Sequence, residues 1–442
     1  MSSDFLYILF FLLTGIGVII LLTVKWKIHA FFALFIACLV VGTGVQIPFG
    51  ELLTIMKDGF GQIMKSLGFL IVLGTALGVL LEHTGSTHVM ATTILKKTGD
   101  KKAPLAMNIT GFLVGLPIFC DSGYIVLSGL NQNLARRTRI AMPVMAASLA
   151  AGLYAVHCLI PPHPGAAAAA GIINVDLGKL ILAGIAVAIP TSAVGYLWAK
   201  YAGKKLPSSL LPAHEKPVQP AKLPSAVQSF LPVIVPILLI ALGSFSTIES
   251  NELMIWRLFK ILGDPVVALF VGVLLVLIPI PSWKGNAVGK VLTEGVEKAG
   301  SILVIIGAGG AFGAVLAATK IGVHMSETLP LSGMGIFFPF LLTSLLKTAQ
   351  GSSTVAIITA ASIIQPLLPA LGLDSSTGQL LCVLSMGAGS MMISHANDAY
   401  FWVISQFSGI DMKTMLRVYS LSTIWMGLTA LTAVYLLTLF LL

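Results

Sequence analysis

Charged residues are scarce in this sequence: only 10% of its 442 positions. A water-soluble globule carries about a quarter of its residues charged, so that class is excluded. Acidic residues are the rarer sign, 17 against 26 Lys and Arg, for a net charge of +9. The excess does not point to nucleic acid, because the basic residues sit in short loops beside apolar runs, where they orient a membrane protein. Cysteine is sparse as well. Cys38, Cys120, Cys158 and Cys382 lie in apolar surroundings without CxxC spacing, which excludes a disulfide framework; only Cys120 has polar neighbours of interest. HExxH is missing, and His157 and His163 share no helical ligand face, so neither a metal nor another cofactor is expected. No nucleophile-plus-base motif occurs, which argues against an intramembrane hydrolase.

What the chain has is apolar length. Hydrophobic residues make up 57% of it, in runs of roughly 17–25 residues, enough for a helix to cross the hydrocarbon of a bilayer. Period-2 alternation is lacking, so a barrel is excluded and the runs are helices, whose amides are satisfied internally. The chain reads as an all-α polytopic membrane protein. Its first run, 5–24, follows Asp4 and has no small-residue cleavage site, so it reads as a retained helix.

The chain also repeats itself. A shift of about 235 positions lays Gly152 on Gly387, His163 on Asp398 and Asp176 on Asp411. Similar shifts lay "DSGYIVL" (121–127) on "GSSTVAI" (351–357), and 58–74 on 294–310. Two repeats, 1–202 and 228–442, are separated by the proline-rich polar stretch 203–227, read as a cytoplasmic linker. The first has helices near 5–24, 28–47, 67–83 and 178–201, an interrupted pair 103–134 and a broken helix 142–175. The second has helices near 228–247, 263–281, 300–318 and 414–440, an interrupted pair 333–368 and a broken helix 378–407. Lys101 and Lys102 before the first pair, and Arg136, Arg137 and Arg139 after it, put both its ends on the cytoplasmic side. The pairs are therefore re-entrant hairpins. Each repeat then crosses five times, and the second is inserted upside down. Inverted repeats with discontinuous helices characterise secondary transporters, whose substrates meet unwound backbone near the midplane. The prolines of "PPHPG" (161–165) stop a helix at such a point.

Ionisable groups inside a bilayer are candidates for function. At the first hairpin tip stand Asp121, Ser122 and Gly123, a candidate proton or cation carrier beside anion-binding groups. At the second, Lys347 precedes Gln350, Gly351, Ser352, Ser353 and Thr354, a cation and amides suited to a carboxylate with hydroxyls. The breaks add His157, His163, His395, Asn397 and Asp398. Asp121 is the first choice for proton coupling, with His163 or Asp398 behind it and His157 and His395 as further candidates. Capping, for Asp121 and Ser122, and snorkelling, for Lys347, are the structural alternatives. The alanines 166–170 read as close helix packing.

The motifs "PPHPG" (161–165), "GSSTVAIITA" (351–360) and "SHANDAYFW" (394–402), with "LGDP" (262–265) and "GAGGAF" (307–312), resemble the gluconate permease (GntP-type) family of proton-coupled sugar-acid symporters, within the ion transporter superfamily. The resemblance implies a bacterial cytoplasmic-membrane importer of gluconate or a similar hydroxy acid, with an elevator motion against a scaffold that forms a homodimer. It also implies an acidic residue where Asp121 stands, and arginine where this chain has Lys347. Lysine lacks arginine's bidentate fork, so substrate choice is open among gluconate, other aldonates, glycerate and D-serine-like acids. Sodium coupling stays an alternative, since the hairpin-tip residues also suit that ion. A channel would differ in not accumulating its substrate.

Overall fold

A computed structural model describes residues 3–203, 223–246, 254–278, 287–320, 333–396 and 398–441. Among the described residues every regular element is a helix. The first half holds α1 (Ser3–Ile20), α2 (Ala30–Gly44), α3 (Phe49–His83), α4 (Ser86–Thr98), α5 (Ala103–Gly115), α6 (Cys120–Thr138), α7 (Met142–Leu159), α8 (Pro164–Ile173) and α9 (Leu177–Gly203). The second holds α10 (Ala226–Ser246), α11 (Met254–Leu262), α12 (Pro265–Leu277), α13 (Ala287–Ala318), α14 (Phe337–Gln350), α15 (Ser353–Ile364), α16 (Ser376–Ser390), α17 (Ala399–Ser408), the single turn α18 (Met412–Met415) and α19 (Leu421–Leu441). Seven segments are long and apolar enough to cross a membrane, and three shorter apolar helices accompany them, among the described residues. Large apolar side chains such as Phe69, Ile278 and Phe440 point outward, as a lipid-facing surface requires. Most of the 203–227 stretch lies outside the described residues.

Two helices are much longer than their apolar runs. α3 begins at Phe49 rather than near 67, and α13 at Ala287 rather than near 300. The added turns of α3 are amphipathic: Leu52, Met56, Ile63 and Leu67 fall at helical spacing and are buried. α4 was not expected from hydropathy, because its 13 residues are largely polar. "LGDP" is a helix start. Asp264 caps α12 by accepting from the amides of Val266 (2.9 Å) and Val267 (3.4 Å), with Pro265 in the first turn.

Small residues let the long helices touch. A Cβ at Gly59 of α3 would lie 2.6 Å from the carbonyl oxygen of Gly310 on α13, so the crossing needs hydrogen there. A second stitch is polar: Asn108 of α5 donates to the carbonyls of Ser148 on α7 (3.0 Å) and Ser192 on α9 (3.3 Å), and its own oxygen accepts from Ser192 Oγ (3.1 Å). Every residue of α7 is buried, as is most of α8, where the alanines 166–170 pack.

Four interruptions organise the interior. Residues 116–119 separate α5 from α6, and 160–163 separate α7 from α8, where Pro161, Pro162 and Pro164 end one helix and open the next. Gly351 and Ser352 separate α14 from α15; Gly351 sits at φ +81°, a conformation that favours glycine. α16 ends at Ser390 and α17 begins at Ala399, with Asp398 as its N-cap.

Candidate functional site

The four helices that follow these interruptions, α6, α8, α15 and α17, begin at one cavity of about 510 Å³. Their first turns supply Cys120, Asp121 and Ser122, then Pro164, then Ser353, Thr354 and Val355, then Ala399 and Tyr400. A helix N-terminus presents unpaired amides and positive partial charge, so four together make an environment for an anion. The caps differ. Ser352 accepts from Val355 N (3.3 Å) and Asp398 from Tyr400 N (3.0 Å), whereas Phe119 and His163 provide no side-chain cap, leaving the amides of α6 and α8 without one.

Of the residues singled out above, Asp121, Ser122, His157, Gln350, Gly351, Ser352, Ser353, Thr354 and Asp398 line this cavity. Three of them bring buried polar atoms with no protein partner: Asp121 Oδ1, His157 Nδ1 and both amide atoms of Gln350. A buried polar atom left unmatched is costly, so groups of this kind on a cavity wall are placed for water or a ligand.

The others stand elsewhere. Lys347 is fully buried behind the wall, where its Nζ donates to Asp398 Oδ2 (2.6 Å) and to the carbonyl oxygen of Gly351 (2.7 Å). Asp398 also accepts from Ser394 Oγ at 2.5 Å. Its two oxygens therefore hold three donors, counting the Tyr400 amide. Gly123 packs against Leu153. His163 Nε2 meets the Gly115 carbonyl at 2.6 Å, away from the cavity wall, and its ring lies 5.0 Å from that of His157. His395 Nε2 lies 3.3 Å from the Thr348 carbonyl. Asn397 lies outside the described residues.

Sequence reasoning missed Tyr154 and Tyr400, which line the cavity, and Lys298, Ser301, Ile302 and Ile305 of α13. Tyrosines inside apolar runs carry no signal apart from packing. Lys298 had one: it follows Glu294 by a helical turn, and the two pair at 2.7 Å. Glu294 also meets His83 Nε2 of α3 at 2.8 Å, so a short polar chain, Lys298–Glu294–His83, joins the two long helices beside the cavity.

An interior built from broken helices whose ends meet at a polar cavity defines a membrane permease of the secondary-transporter class. The chain belongs to the GntP family of permeases, whose sequence profile matches residues 7–440. It is 32% identical to a gluconate permease of Pseudomonas aeruginosa, over 99% of both chains. It is 29% identical to the inner membrane permease YgbN of Escherichia coli, over 94% of this chain and 95% of that one. Its fold matches the YdaH transporter of Alcanivorax borkumensis with a TM-score of 0.63 at 16% identity, covering 89% of this chain and 90% of the other. The chain is thus a multi-pass protein of the bacterial inner membrane and a permease, not an enzyme.

Proposed function

We propose that this permease imports gluconate or a related small hydroxy acid by proton symport. The observation that carries the reading is the set of unpartnered groups, on Asp121, His157 and Gln350, in a cavity wall to which four helices contribute their first turns. In this mechanism the substrate carboxylate meets the uncapped amides at the start of α6 and the hydroxyls of Ser122, Ser353 and Thr354. Gln350, with one donor side and one acceptor side, and Asn397 take hydroxyls of the substrate. Asp121 carries the proton. Asp398 is the weaker candidate because its oxygens are engaged by Lys347, Ser394 and Tyr400.

We further infer that the two halves are inverted repeats and that transport proceeds by an elevator motion in a homodimer. Matched local chemistry supports the duplication. α8 and α17 each have 10 residues and end in a left-handed cap, at Asn174 and Gly409. The residues before them, His163 and Asp398, are their N-caps. Asp176 accepts from Lys179 N (2.7 Å) and Asp411 from Thr414 N (3.0 Å), the same i to i+3 turn in both halves. Gly152 and Gly387 each lie against a neighbouring helix's carbonyl oxygen, that of Asn108 and that of Cys158.

The test is uptake into proteoliposomes under imposed proton or sodium gradients, across gluconate, other aldonates, glycerate and D-serine. Accumulation of one of these acids driven by the proton gradient supports the reading. Accumulation driven by sodium alone overturns the coupling, and uptake that never exceeds equilibration overturns symport.

A further inference from the structure

We propose that the ammonium of Lys347 is a tethered substitute for a coupling cation, and that removing it uncovers a monovalent-cation site between α14 and α17. The side chain has no exposed surface, so it does not snorkel to an interface. Nor does it line the cavity. Its Nζ instead sits among oxygen ligands: the Gly351 carbonyl at 2.7 Å and Asp398 Oδ2 at 2.6 Å, with Ser394 Oγ bonded to that same carboxylate oxygen.

These are the donors a hard cation takes. Gly351 is the C-cap of α14, so its carbonyl stands at the negative end of a helix dipole, where unwound backbone in transporters holds coupling ions. Asp398 adds a full negative charge from the neighbouring break. An alkali ion in such a place would bind and leave with each cycle. An ammonium covalently fixed to α14 supplies the same charge and cannot leave. A sodium gradient can then do no work at this position, while Asp121 on the cavity wall, whose Oδ1 has no protein partner, stays open to a proton. The proposal goes beyond the substrate reading given above, and its test reads ion binding rather than uptake, so the two stand or fall separately.

The test compares melting temperatures of the purified, full-length protein in sodium chloride and in choline chloride. The wild type is expected to melt alike in both. Lys347→Ala is expected to melt lower in choline and to gain several degrees in sodium, saturably, by preferential binding to the folded state. Methylammonium, which restores the missing group, is expected to rescue it as well. Adding Asp398→Asn removes the unpaired buried charge and should yield a folded protein indifferent to sodium. The proposal is overturned by sodium-dependent stabilisation of the wild type, by a Lys347→Ala protein that sodium and methylammonium leave as unstable as choline does, or by failure to recover that variant in any of these salts.

Discussion

The imidazole Nε2 of His163 lies 2.6 Å from the carbonyl oxygen of Gly115, joining the break between α7 and α8 to the end of α5. A carbonyl only accepts, so Nε2 carries the hydrogen. His163 is buried and its Nε2 is held by this bond, while its neighbour His157 lines the cavity; the Nδ1 of each ring has no protein partner. His163→Ala should leave the Gly115 carbonyl without its donor, at a cost of about 1–3 kcal/mol. Its melting temperature is expected to fall further than that of His157→Gln. The latter should weaken substrate binding with a smaller loss of stability. Calorimetry beside uptake kinetics separates them; the reverse pattern would exchange their roles.

Asp121→Asn keeps the shape of the side chain and removes its proton exchange. If Asp121 couples the proton, the variant should lose accumulation driven by a pH gradient yet still exchange labelled for unlabelled substrate at equilibrium, since exchange needs no net proton movement. Undiminished gradient-driven uptake would remove Asp121 from the mechanism.

Gln350 has two buried amide atoms without protein partners. Replacing it by leucine removes both the unmatched groups and whatever they offer a ligand. Gln350→Leu should therefore fold as well as the wild type or better, while its KM rises about five- to tenfold, the equivalent of roughly 1–1.4 kcal/mol of lost hydrogen bonding. A variant that melts lower at unchanged KM would make Gln350 a structural residue.

The helices legible in the sequence were those whose apolar run matched the membrane; "PPHPG" and "GSSTVAI" marked two interruptions because proline and glycine act locally. α4 and the early turns of α3 and α13 were hidden, since a hydropathy reading rewards continuous apolarity and these segments are amphipathic. The spacing of Leu52, Met56, Ile63 and Leu67 was the signal available. At the site, the residues beside the interruptions could be named from their polarity alone. That Lys347 meets Asp398, 51 positions later, depends on tertiary packing. The same holds for Tyr154, Tyr400 and Lys298, whose place on the wall is set by neighbours far along the chain.

The crossing of α3 and α13 tests how far function depends on a helix contact made by residues outside the cavity lining. A Cβ at Gly310 would fall 2.7 Å from the Gly59 carbonyl oxygen and against the side chain of Ile63, which has little room because it is itself buried. Backbone cannot yield as a flexible side chain does, so Gly310→Val must push the helices apart at a cost of about 1–3 kcal/mol. Gly300, on the same helix, has nothing within 4 Å of the added atom, and Gly300→Ala should be neutral or slightly stabilising, because alanine is the better helix former. Melting temperatures of the two variants, measured beside uptake, decide the matter. A lower midpoint and reduced uptake for Gly310→Val, with neither change for Gly300→Ala, is the expected result. Equal behaviour of the two would mean that the close approach at Gly59 contributes nothing to the stability of the fold.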